Sequence, residues 1–287
     1  DERNVINMEE NEKKKIIVKA KTNTTISEIA KKQIEESKYP VVGAIFNNEY
    51  KNLDDELQED GTLELININS KEGMKIYRRT LIFIMGMAFS KIYPEALLTV
   101  NYQLSHSMFC EIENMEVTEE VIENVTKKMK ELILAQLPIE KKVMNRKEAQ
   151  EFFDKTKTIK GKLQLDLKTN KEIKMYFCQD YYNYFYGMLA SNTKFLNLFE
   201  IVKYDNGFLI KYPSSKNPLE IAKDKENKKL AWSLNEYDDL HKVLGVNTVY
   251  KLNKAIEENR IKDVIMLDEA LHEKKIALIA DEISRRK

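Results

Sequence analysis

Only two cysteines occur in the 287 residues, Cys110 and Cys178, and they stand in different segments of the chain. That count excludes a disulfide-stapled scaffold, and two lone thiols suit a reducing compartment, so the expected location is the cytoplasm. The three histidines, His106, His241 and His272, are too widely spaced to form a metal-ligand pattern. There is no excess of either charge: Lys+Arg and Asp+Glu both number 47, which excludes a global field drawing the chain to nucleic acid or an anionic membrane. Long hydrophobic runs are absent as well. The longest, "LIFIMGMAF" at 81–89, is far too short to span a bilayer, and neither a membrane association nor a secretory leader is expected. Asp1 in the place of a start methionine points to a trimmed or renumbered N-terminus. What is present is 43% hydrophobic and 33% charged residues, the composition of folded domains, in a chain long enough for two or three of them.

The charge that cancels overall does not cancel locally. Residues 1–70 hold ten basic and fifteen acidic side chains, against 37 and 32 in the remainder. This acidic first part opens with a polar lead-in at 1–14 and becomes structured in pattern at "IIVKA". Thr25 or Ser27 can cap the helix "SEIAKKQIEES", whose Ile26, Ile29, Ala30 and Ile34 recur at helical spacing. "VVGAIFNNEYKNL" reads as a hairpin turning at Asn47-Asn48, two residues that tolerate positive φ. "TLELININ" alternates like a half-buried strand. Strand, helix, hairpin and closing strand describe a β-grasp-like module at 15–70.

Residues 71–228 read as an α+β domain. "KIYRRTLIFIMGMAFSKIYP" is apolar nearly all round, as a core helix is, and Pro94 stops it. "EALLTVNYQLSHSMFCEIE" supplies two strands. Thr118 caps a long amphipathic helix carrying Val121, Val125, Met129 and Leu132, and Asn145 and Glu148 have capping-box spacing ahead of a shorter one. "KLQLDLK", "IKMYFCQ" and "FLNLFEIVKYDNGFLIKYP" give further strands. Residues 229–287 are helical in pattern, with Gly245 as a C-terminal stop after "LNEYDDLHKVLG". The last helix meets neither cap nor breaker before Lys287, which suggests a chain that continues into another domain. Within the α+β domain, "CQDYYNYFYGMLASNT" at 178–193 concentrates four tyrosines and a phenylalanine around one glycine.

The first module resembles the TGS domain of threonyl-tRNA synthetases and some GTPases in "TTISEIAKK", "VVGAIFNNEYKNLDDEL" and "EDGTLELININ". TGS modules are interaction platforms rather than catalysts. With the α+β domain behind it, the chain resembles the N-terminal half of threonyl-tRNA synthetase, whose second domain edits mischarged tRNA. That family carries H-x-x-x-H on the first helix and a later C-R-G-P-H segment. Set against Tyr93-Pro94, the two histidine positions are Arg79 and Phe83. Set against "FYGMLASNT", the cysteine position of the later segment is Phe185 and its histidine position Leu189. The resemblance therefore implies an editing-like domain that has lost its ligands, with no catalytic residue and no metal. Phe and Leu neither bind a metal nor move a proton. Two readings of the aromatic refill stand: core packing, or a pocket for a planar ligand with phosphate or carboxylate on Arg78 or Arg79 and rings supplied by Tyr184 and Tyr186. His106 and Cys110, four apart on one strand, are two further candidates near that pocket.

The same order with the same losses resembles bacterial uridine kinase-like proteins, in which TGS and synthetase-like regions precede a P-loop kinase. The carrying residues are "KIYRRTLIF", "LSHSMFCEIE", "WSLNEYDDLHKVLGVNTVYKLNKAIEEN" and "DEALHEKKIALIADEISRRK". No G-x-x-x-x-G-K-[ST] occurs here, so ATP, Mg and phosphoryl transfer belong to a kinase domain beyond this chain, and the chain itself is expected to hold no cofactor. The resemblance implies a non-catalytic, ligand-sensing accessory region whose partners are its own C-terminal kinase domain and a small molecule or nucleotide. The alternative is a module that grips the acceptor end of tRNA.

Overall fold

Alternation of apolar and polar residues and a hairpin with asparagines at its tip build the first sheet. The computed structural model describes residues 15–19, 24–155, 172–221 and 228–286. Strands β1 (Lys15–Val18), β2 (Val41–Phe46), β3 (Glu49–Lys51) and β4 (Gly61–Asn67) pair antiparallel in the order β1-β4-β2-β3. Asn47 and Asn48 turn the hairpin at φ 48° and 69°, the positive values that its tight loop requires. The expected single helix is two pieces, α1 (Ile26–Ile29) and α2 (Lys31–Glu35), divided at Ala30 with φ −102° and ψ 20°. Thr25 caps α1, and Glu28 reaches back to the Thr25 amide at 2.9 Å to close a capping box. Ile26, Ala30, Val41, Ala44, Phe46, Leu53, Leu57 and Leu63 form this sheet's own core. The lead-in at 1–14 and the strand expected at "KLQLDLK" lie outside the described residues.

The apolar segment is helix α3 (Lys71–Ile92), capped by Ser70, whose hydroxyl accepts from the Gly73 amide at 2.9 Å. Twelve of its residues are buried, which is why its sequence shows no polar stripe. After it come β5 (Leu98–Leu104), β6 (Ser107–Ile112), α4 (Glu119–Leu134), β7 (Glu140–Asn145), α5 (Arg146–Asp154), β8 (Glu172–Cys178), β9 (Tyr181–Tyr184), a 3-10 turn at Thr193–Phe195, β10 (Glu200–Tyr204) and β11 (Gly207–Lys211). Strands β10-β11-β6-β5 form one antiparallel sheet, and β7-β8-β9 a smaller one. Helices α3 and α4 pack together, and α3 also touches β2, β4 and β9. The larger core thus joins Ile66 and Ile68 of the first sheet region to Tyr77, Phe83, Met129 and Phe208. At its centre the Tyr77 hydroxyl donates to the Leu198 carbonyl at 2.6 Å and accepts from the Leu198 amide at 3.0 Å. The chain is α+β, with antiparallel sheets and a helical C-terminal segment.

Compactness groups Asp1–Lys142 with Lys174–Asp224, and Val143–Ile173 with Lys225–Lys287. The second unit holds α5, α6 (Lys228–Val243), α7 (Val249–Glu257) and α8 (Ile261–Arg285). Asn145 and Glu148 close the capping box that their spacing predicts. Gly245, at φ 70°, ends α6: its amide bonds the Lys242 carbonyl and the Val246 amide the His241 carbonyl, a Schellman stop. Lys275 of α8 pairs with Glu236 and lies over the Trp232 ring of α6 at 5.4 Å. Among the described residues no helix is long and apolar enough to cross a membrane.

Candidate ligand-binding cleft

Residues 79, 83 and 86 recur at helical spacing and give α3 one lateral face, along which residues 181–190 run. Four contacts fix the register. The Tyr181 hydroxyl lies where a Cβ on Gly86 would stand, 2.4 Å from that position. Phe83 meets the rings of Tyr181 and Phe185 edge-on, at 5.0 and 6.1 Å. Gly187 lies against Arg79, whose guanidinium carbon would be 2.3 Å from a Cβ there. The buried Thr80 hydroxyl donates to the Ile76 carbonyl at 2.8 Å and accepts from the Ala190 amide at 2.9 Å. Thr80→Val keeps the volume but strands the buried Ala190 amide, so it is expected to lower stability by about 1–3 kcal/mol, read from urea unfolding midpoints.

The four positions that the synthetase motif would fill have different fates. Phe83 is buried and touches Phe185, which is partly buried, and Leu189 is wholly buried. Arg79 alone opens onto a cavity of about 200 Å³ lined by Tyr50, Glu72, Lys75, Ile76, Lys141, Lys174, Tyr176, Tyr186, Gly187 and Met188 as well. The two adjacent arginines diverge: Arg78 donates to the Gln103 side chain at 2.6 Å, while Arg79 turns inward. Partial burial, then the neighbouring Arg78, push the Arg79 pKa down from its usual value. Among the described residues no carboxylate lies within ion-pair distance of Arg79. Lys141 is 3.5 Å from Asp55. The Tyr176 hydroxyl donates to the Gly187 carbonyl at 3.1 Å, bracing the turn on which Arg79 rests, and burial pushes its phenol up to about 12.

Of the residues singled out from sequence, the cleft brings together Arg79 and Tyr186, the latter 74% exposed at its mouth. Tyr184 is buried instead, its ring edge-on to Tyr186 at 6.1 Å. His106 is not on a strand. It occupies the exposed turn after Ser105, which has φ 52°, between β5 and β6. Cys110 is fully buried in β6, its thiol pointing to the Met108 carbonyl at 3.8 Å, and desolvation raises its pKa. Neither belongs to the cleft, and burial leaves no thiolate for a nucleophilic pair. Lys75, Lys141, Lys174 and Tyr176 escaped the sequence reading. Lys75 was legible, since it precedes Arg79 by one helical turn; Lys141 and Lys174 come from β7 and β8, and only sheet pairing places them here.

No family model matches the chain. It is similar to curated threonine–tRNA ligases: 26% identical over 180 residues to that of Clostridium novyi (strain NT), a match covering 62% of this chain and 28% of the relative. The enzymes of Syntrophomonas wolfei (strain DSM 2245B / Goettingen) and Clostridium tetani (strain Massachusetts / E88) are each 27% identical, over 137 and 162 residues; those matches cover 47% and 56% of this chain, and 22% and 25% of the relatives. The chain therefore spans about a quarter of the length of the curated relatives it matches. It contains a threonyl-tRNA-synthetase-like region.

Proposed function

We propose that this region binds the acceptor end of an RNA at the Arg79 cleft and does not hydrolyse it. One observation carries the reading: a half-buried arginine without a carboxylate partner among the described residues faces a cavity walled by three further cations and three tyrosines. Cations that track phosphates, beside rings on which bases stack, are the equipment of a single-strand binding groove. The similarity to threonine–tRNA ligases supplies the class of RNA. Hydrolysis of an ester needs a group that exchanges protons near neutral pH, and Arg79, Phe83, Phe185 and Leu189 supply none. Residues 15–70 are, in this proposal, a TGS-type platform beside the cleft, the editing-like domain extends over 71–228, and 229–287 is a helical linker. The narrower reading, an accessory region ahead of a uridine kinase-like P-loop domain, rests on the resemblance carried by "KIYRRTLIF", "LSHSMFCEIE" and the two C-terminal helical segments.

The test is fluorescence anisotropy with a 5′-labelled hairpin RNA bearing a single-stranded 3′ CCA end. Binding should weaken steeply as salt rises. Arg79→Ala should weaken it at least about tenfold, the loss of a charge-assisted hydrogen bond worth about 1.5–3 kcal/mol, with circular dichroism unchanged. A blunt hairpin bound as tightly as the CCA hairpin would end the acceptor-end reading.

A further inference from the structure

The charge around the cavity specifies more than RNA in general, and this step rests on the reading just given. Lys75, Arg79, Lys141 and Lys174 line the cavity, whereas the carboxylates are Glu72 in its wall and Asp55, which pairs with Lys141. Four cations against two carboxylates leave a surplus of two positive charges. A phosphomonoester carries about −1.5 to −2 at pH 7 and offers three acceptor oxygens. An aminoacyl ester brings an ammonium, which this surplus repels, and a free 3′ hydroxyl brings no charge at all. A lone carboxylate would offset only half of the surplus.

Shape points the same way. A cavity of about 200 Å³ is smaller than the sites of about 300–1,000 Å³ that enclose drug-sized ligands, so it admits one terminal group rather than a run of nucleotides. Gly187 sets the geometry at its back. With no Cβ, the turn lets the Arg79 guanidinium lie against the backbone, and the Tyr176 hydroxyl on the Gly187 carbonyl holds the turn in place. A methyl group at 187 would stand 2.3 Å from the guanidinium carbon and 2.5 Å from Nη1, so the arginine has to swing away. Gly187 is thus a positioning residue for Arg79. Tyr186, exposed at the mouth, offers a ring to the base of the nucleotide whose ribose bears the phosphate.

We propose that the Arg79 cavity is a receptor for a terminal phosphomonoester of a nucleotide, and that it selects phosphorylated ends over hydroxyl and aminoacylated ones. That chemistry has two sources, the phosphorylated 3′ end of an RNA and a free nucleoside monophosphate, so the experiment has an arm for each. Anisotropy titrations compare 5′-labelled RNAs of one sequence ending in 3′ phosphate or 3′ hydroxyl, and competition titrations use adenosine and adenosine 3′-monophosphate. The phosphorylated RNA is expected to bind at least tenfold tighter than the hydroxyl RNA, and the monophosphate to compete where adenosine does not. Gly187→Ala, which displaces Arg79, should remove the preference: hydroxyl RNA weakens as it does in Arg79→Ala, and phosphorylated RNA loses at least tenfold more, whereas an equal loss for both ends would mark a mere phosphate-tracking surface and overturn the proposal. Arg79→Lys should restore part of what Arg79→Ala loses. Equal affinities for the two RNA ends, together with no competition by the monophosphate, overturn the proposal. Binding of the free monophosphate without measurable RNA binding keeps it and removes the acceptor-end reading instead.

Discussion

Phe83→Ala is expected to cost the domain about 3–5 kcal/mol, the range for truncating a buried phenylalanine. Phe83 is 1% exposed at the middle of α3, and it is the ring onto which both Tyr181 and Phe185 close. Removing it leaves a void bounded by two edge-on rings that the Thr80–Ala190 and Tyr176–Gly187 hydrogen bonds hold in register, so the walls have little freedom to collapse. Phe185→Ala should cost less, because that ring is only partly buried. Phe83→His separates volume from polarity. The imidazole fills most of the space, but it enters a wall of aromatic rings in which its ring nitrogens need partners. Urea unfolding of the three variants checks the order. A loss below 1 kcal/mol for Phe83→Ala would mean that residues 181–190 are not clamped onto α3.

That same clamp separates what the sequence revealed from what it withheld. Local signals announce themselves: Thr118 and Asn145 act where spacing places them because each caps a backbone amide three residues on, and Asn47-Asn48 because both tolerate the positive φ of their turn. The replaced positions 79, 83, 185 and 189 were legible only through the resemblance, and the structure puts the first pair and the second side by side. The rest of the cleft was not legible. Lys141 and Lys174 reach the cavity from β7 and β8, and that juxtaposition depends on long-range pairing, which no local pattern encodes. Tyr184 and Tyr186 looked equivalent in sequence, yet burial sends one into the core and leaves the other at the mouth. His106 shows the opposite error. Spacing of four suggests one strand face, but the hairpin turns at Ser105 and lifts the histidine off the sheet.

Stability should also fall steeply in alkali, through groups that the fold keeps neutral. Burial raises the pKa of Cys178 to about 11 and of Tyr176 to about 12, and it raises those of Cys110, Tyr77 and Tyr184 as well. The sign follows from linkage. In the unfolded chain thiols ionise near pH ~8.5 and phenols near ~10, while the folded chain holds them protonated. Their contribution is therefore complete below about pH 8 and drains away as pH rises through the unfolded values toward the raised ones. Each group held fully neutral costs about 1.4 kcal/mol per pH unit above its unfolded pKa. The two thiols start the decline and the buried tyrosines, Tyr181 among them, steepen it, so stability should fall progressively from about pH 8.5 and most steeply above about pH 10. Urea midpoints measured from pH 7.5 to 11.5 give the curve. Cys110→Ala should flatten the first limb, between about pH 8.5 and 10, because it removes a thiol that is fully buried and whose ionisation only the unfolded state permits. Tyr77→Phe should flatten the second limb, although it lowers stability at every pH by leaving the Leu198 amide and carbonyl without their shared hydroxyl. A midpoint that stays level up to pH 11 would show that the thiols and phenols ionise in the folded chain, and that the core around α3 admits water.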